Sequence, residues 1–255
     1  MMLIFREEQL RAFQSASQAN FCRRLLRNVC EEFPDRLKIF GEPAISAMVS
    51  LGLDRAKARG LESEEAVMRH LGMMILFGSY WESDPQLPWV KQFLGPADAA
   101  TAERMTQLWE QAKVVRQRIM GPDDGLYLAA LRSIEGKTVE DLTKFASRSH
   151  RDLLIQIAAM YPRKFTEAGE AAFANCTRLA VEACRPFDLM DRWSVVLMVE
   201  FMLLFGAGFL NDPLYAWATE ALKDPQCEGV DQKLDRLLKA AQDKVISRTV
   251  GSRAS

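Results

Sequence analysis

Histidine is scarce in this 255-residue chain: His70 and His150 are the only two, in neither the HExxH arrangement of zinc enzymes nor the ExxH spacing of di-iron bundles. A metal centre built on imidazole is therefore not expected. The five cysteines, Cys22, Cys30, Cys176, Cys184 and Cys227, are odd in number and contain no CxxC pair. That excludes a regular disulfide framework or zinc knuckle and suits a reducing compartment. Net charge is nearly absent too, with 33 basic residues against 34 acidic. No overall field draws the chain to nucleic acid or to an anionic membrane.

Long apolar runs are lacking. The one stretch that could pass for a membrane span, Val195 to Leu210, is sixteen residues long and is interrupted by Glu200. A spanning helix needs roughly twenty residues, so a buried core helix is expected. The opening MMLIFREEQL turns charged after five residues and lacks a small-residue cleavage site, so it does not read as a secretory signal. The expected location is cytoplasmic. The sequence also has no P-loop, no GxGxxG after a strand and no GxSxG elbow. The expectation is a protein without catalytic residues, cofactor or metal.

What is present is helical periodicity. Leu10, Phe13 and Ala16 recur at threes, Phe21, Leu25 and Val29 at fours, and Leu234, Leu237, Leu238, Ala241 and Val245 mix the two. Breaks are signalled at Phe33-Pro34, Gly41, Gly60, Asp84-Pro85, Gly95-Pro96, Gly121-Pro122, Tyr161-Pro162 and Asp212-Pro213. The reading is an all-α fold of nine or ten helices.

The chain also resembles itself at an offset of 128 residues. FPDR at 33–36 falls on YPRK at 161–164, Gly41-Glu42 on Gly169-Glu170, and Asp84-Pro85 on Asp212-Pro213. Eighteen of the seventy-two positions between 23 and 94 are identical to their counterparts. Two tandem, pseudo-symmetric helical modules are expected, at 7–118 and 134–247, with a linker at 119–133 and a mobile tail at 248–255.

Residues kept in both modules are expected to serve the fold. Asp84 and Asp212 suit N-caps with Pro85 and Pro213 at the first helical position, Trp89 and Trp217 suit core anchors, and Gly78 and Gly206 suit left-handed helix ends. Recognition is then expected where the modules differ. Tyr80, Trp81 and Glu82 give the first module a large aromatic loop of interface composition, and Arg55, Lys57 and Arg59 lie beside a helix end. The competing reading is that the aromatics only seal the junction and the cations form a solvated face. Glu200, whose counterpart is Gly72, is expected to find a buried cationic partner or to cap a helix, with titration in a pocket as the alternative.

The strings EFPDR, GEPAI, SEEAVMRHLGMMILFG and DPQLPW resemble a group of bacterial proteins encoded in type VI secretion effector modules, beside spike-tip and toxin genes. The second module departs from that pattern at Arg163, in place of the acidic Asp35, and at NDPLYAW. The resemblance implies a non-catalytic accessory that binds a secreted toxin or its chaperone. The leading expectation is an adaptor or co-chaperone for loading the toxin, and the alternative is an immunity protein that neutralises it. A third reading is a helical pocket for a small apolar ligand, lined by Met68, Met73, Met74, Met198 and Met202.

Overall fold

The computed structural model describes residues 7–94, 102–143, 155, 158 and 160–252, and side chains from residue 18 onward. The fold is all-α, with ten or more helices and no strand among the described residues. The side chains of Leu10, Phe13 and Ala16, the Gly95-Pro96 break, His150 and residues 253–255 lie outside what is described.

α1 (Glu7–Glu32) stops where Pro34 removes an amide donor, and α2 (Pro34–Phe40) starts at that proline. Gly41 then turns the chain at φ 80° into α3 (Glu42–Ala58). The second half repeats this local course: α8 (Pro162–Ala168) begins at Pro162, and Gly169 turns it at φ 83° into α9 (Glu170–Cys184). Phe33 and Tyr161, which precede the two prolines, share nearly the same backbone angles, φ −126°, ψ 57° and φ −127°, ψ 57°.

Two apolar helices, α4 (Glu64–Phe77) and α10 (Arg192–Phe205), carry the most buried residues. Ser63 caps the first by accepting from the Ala66 amide at 3.2 Å, and Asp191 caps the second by accepting from the Ser194 amide at 3.0 Å. α10 takes in the first part of the sixteen-residue apolar run, Val195 to Phe205, and ends at Gly206. No described helix is long and apolar enough to cross a membrane. α3 packs on α4 and α9 on α10. The apolar faces of both halves merge into one contiguous core that runs from Leu25 to Ile246. Two separate cores are therefore not formed.

α5 (Ala102–Met120) covers α4, and its C-terminal part also packs on α8 of the other half. The far end of the chain does the converse. α12 (Val230–Ala241) continues through a π-helical turn, Gln242–Ile246, into α13 (Ser247–Ser252), which packs on α2. The closing helix of each half thus lies against the opening of the other.

Two sequence expectations change here. The linker 119–133 contains α6 (Gly125–Ile134), because Leu128, Leu131 and Ile134 fall on one face and are buried in the common core. The tail is ordered through residue 252: Arg248 donates to the Ile39 carbonyl at 3.1 Å and Thr249 is buried. α7 (Val139–Thr143) and α11 (Ala216–Leu222) complete the set.

Candidate functional site

The two apolar helices end against each other. Gly78 has φ 91°, ψ 155° and Gly206 φ 96°, ψ 150°, so both have positive φ but neither is in the left-handed helical region expected from the sequence. Space explains the glycine as well as conformation does. A Cβ on Gly78 would stand 2.9 Å from the Phe205 carbonyl oxygen, and one on Gly206 2.8 Å from that of Phe77.

Beside this contact the two aspartates cross over. Asp212 accepts from the Leu214 amide of its own turn at 3.0 Å, and from the amide and hydroxyl of Ser79, both at 2.7 Å. Asp84 accepts from the Gln86 amide at 2.8 Å and from the Ala207 amide across the junction, also at 2.8 Å. Each carboxylate holds its own loop and the other half's helix end. Asp212 does cap a short 3-10 helix, Pro213–Tyr215, whereas Asp84 heads a turn that precedes the 3-10 helix Pro88–Gln92. Burial pushes both carboxyls above the ordinary range, while these amide bonds act in the opposite direction. Trp89 is buried and stacks edge-on with Phe77, and Trp217 meets Phe205 in the same manner.

The residues expected to bind a partner are brought together here, largely facing one another. Trp81 is fully buried edge-on to His70. Glu82 sinks its carboxylate among Arg55, Arg59 at 2.6 Å, and His70 at 3.9 Å. Arg55 also lies 4.8 Å over the Tyr80 ring. Tyr80 in turn packs on Gly208, where a Cβ would come within 2.6 Å of it, and donates its hydroxyl to the Asn211 carbonyl at 3.2 Å. The cations and aromatics thus satisfy each other at the junction, and of the six only Lys57 is an exposed side chain. Burial, with the nearby Arg55 and Arg59, pushes His70 down to about 3 and keeps it neutral.

Glu200 finds neither of the partners expected first. It is 3% exposed and its Oε2 has no hydrogen-bond partner. Burial pushes its carboxyl up to about 8. The reason is local volume: its counterpart Gly72 is covered by the Trp109 ring, which would lie 2.7 Å from a Cβ there, whereas the position matching Trp109 is Leu238.

Concave surface occurs elsewhere, between α5, α6, α8 and α10. A groove of about 580 Å³ is lined by Ile119 and Met120 of α5, the Leu126, Ala129, Ala130, Ser133 face of α6, Met160 to Lys164, and Leu203 and Leu204. Its rim exposes apolar surface, with Leu126 at 44% and Met160 at 49%. Lys164, half-buried in the wall, donates to the Leu203 carbonyl, and burial lowers its ammonium to about 8 against the pull of Asp84. Arg163 at the outer end is exposed. Beyond it Arg118 of α5 pairs with Glu167 of α8 at 3.2 Å.

None of these lining residues was singled out as a binding group from the sequence, because the groove depends on α6, which lies in the expected linker. The proposed methionine pocket does not form: Met73, Met74, Met198 and Met202 are closed into the core, and neither they nor Met68 line the groove. No group of three or more potential metal ligands occurs among the described residues. Against known proteins, no family model, no curated protein and no solved structure matches the chain.

Proposed function

We propose that the protein is a non-catalytic binding protein that serves a type VI secretion effector as an adaptor or co-chaperone, holding the toxin or its chaperone for loading. The observation that carries this reading is the groove. Its walls are apolar, its rim leaves Leu126 and Met160 in water, and it is edged by cations, a composition suited to a protein segment. The resemblance of the first half to effector-module proteins supplies the biological setting. The buried cluster of Glu82, Arg55, Arg59 and His70 lies elsewhere, closed within the junction.

The test is made in the producing cell. Deleting the gene, or introducing Ala130→Arg into the groove, is expected to stop delivery of the toxin while the producer stays healthy. Self-poisoning of the producer would instead identify an immunity protein and overturn the adaptor reading. Undiminished secretion would also overturn it.

A further inference from the structure

The groove has a counterpart on the other half of the molecule, and that counterpart is narrower. A smaller cleft of about 230 Å³ is lined by Phe33, Pro34, Asp35, Arg36 and Leu76. Each of these stands 128 residues before a residue of the groove: Tyr161, Pro162, Arg163, Lys164 and Leu204. One side of the first cleft is closed by Tyr127 and Leu128 of α6 and by Thr249 of α13, and Tyr127 borders the groove as well. An ion pair between Arg116 and Asp124, the residue that precedes α6, lies in the same cleft. Over the groove no described element takes the corresponding place, and its volume is more than twice as large.

We propose that the groove receives an amphipathic helix of a partner protein, one that presents an apolar face of the α6 kind and carries a carboxylate that meets Arg163. Three features choose this occupant. The first is the matching cleft, which shares six wall positions with the groove once Glu32 is matched with Met160, and which side chains of a helix of this chain close on one side. The second is the α6 wall itself, where Ala129, Ala130 and Ser133 recur at helical spacing and let another backbone approach closely. The third is charge: Arg163 stands where the narrower cleft has Asp35, and no ion pair of Arg163 is seen among the described residues. A groove edged by the exposed Arg163 and by Lys164 favours an acidic segment. Helix-in-groove docking needs only such an apolar trough and a few anchors at i, i+3 and i+4.

This inference rests on the binding-protein reading, and it is tested separately from it with a probe taken from the chain. A fluorescein-labelled peptide of residues 122–136, PDDGLYLAALRSIEG, carries the α6 face, two aspartates at its start and Glu135 near its end. Titrated with the full-length protein and followed by anisotropy, it is expected to bind saturably at one site. A peptide with Tyr127→Asn, Leu128→Asn and Leu131→Asn should not bind. Ala130→Arg in the protein should weaken binding at least tenfold. Should that variant melt early, Leu126→Asp, at a more exposed position, makes the same test. Arg163→Glu should weaken binding several-fold, with recovery when the peptide carries Asp123→Lys and Asp124→Lys.

Absence of saturable binding, or binding indifferent to both groove substitutions, would overturn the proposal. So would one-site binding of laurate at the groove while the peptide stays free, which would assign a fatty-acid site instead. If the peptide binds but toxin delivery does not need the gene, the helix site stands and the adaptor role falls. If delivery fails with Ala130→Arg while the peptide never binds, the reverse holds.

Discussion

At the junction, the first half of the chain places Arg55, Arg59, His70, Tyr80, Trp81 and Glu82; 128 residues later the same places hold Ala183, Phe187, Met198, Gly208, Phe209 and Leu210. A buried ion network on one side faces an aromatic and aliphatic cluster on the other, in which Phe201, Phe205, Phe209, Tyr215 and Trp217 pack ring against ring. Both sides share the same helix end, positive-φ glycine and short 3-10 turn. The backbone course is therefore compatible with either filling. Shape at this position is set by glycine and aspartate, while polarity is free to differ. The polar filling is the more fragile, because its members depend on one another and both His70 nitrogens and the Trp81 Nε1 lack hydrogen-bond partners.

The comparison breaks most sharply at Glu82. Glu82→Ala leaves two partly buried guanidiniums facing each other, and a loss of about 3–5 kcal/mol in urea unfolding is expected. Converting the network to the second half's residues, Arg55→Ala with Arg59→Phe and Glu82→Leu, should be far milder, from neutral to about 1–4 kcal/mol stabilising. A triple variant as unstable as Glu82→Ala would show that the charges are essential to the shape.

Next in size is Gly206→Ala, where an extended positive-φ backbone and a carbonyl 2.8 Å away together should cost about 3 kcal/mol. Gly60→Ala, also at positive φ but with nothing within 4 Å, should cost only about 1–2 kcal/mol. Equal melting temperatures for the two variants would remove the argument from close approach.

The effects in pH are spread over several units, so they are small at any one step, and the two halves tilt in opposite directions. Glu200, held near 8, keeps in the native state a proton that the unfolded chain releases above its ordinary value of 4.5. Stability therefore falls as pH rises between about 4.5 and 8, by up to roughly 1.4 kcal/mol per unit, and Glu200→Gln should flatten that limb. His70, lowered to about 3, refuses in the native state a proton that the unfolded chain takes up below 6.5. Its contribution is lost as pH falls from 6.5 toward 3, and His70→Met, the second half's residue, should flatten the acid limb. Unfolding curves at a series of pH values would separate the two.

Much of the fold was legible because its signals are local. Pro34 and Pro162 start helices, Gly41 and Gly169 turn them, and the apolar run around Glu200 is a buried helix. α6 was missed because Gly121-Pro122 reads as a break, and the ten-residue helix after it carries its apolar residues in a pattern that only tertiary packing rewards. The groove escaped for the same reason. Arg55, Lys57 and Arg59 looked like a surface because a sequence cannot show that Glu82 lies across from two of them. The Gly72–Trp109 contact, which explains why only one half can hold Glu200, is likewise a matter of space alone.

The crossed aspartates bear on how the halves depend on each other. Asp84 and Asp212 each satisfy an amide in their own half and one in the other, so drawing the halves apart would strand both carboxylates and both amides in a single step. A chain nicked between residues 121 and 125 is then expected to behave as a heterodimer of complementary fragments, neither complete without its mate.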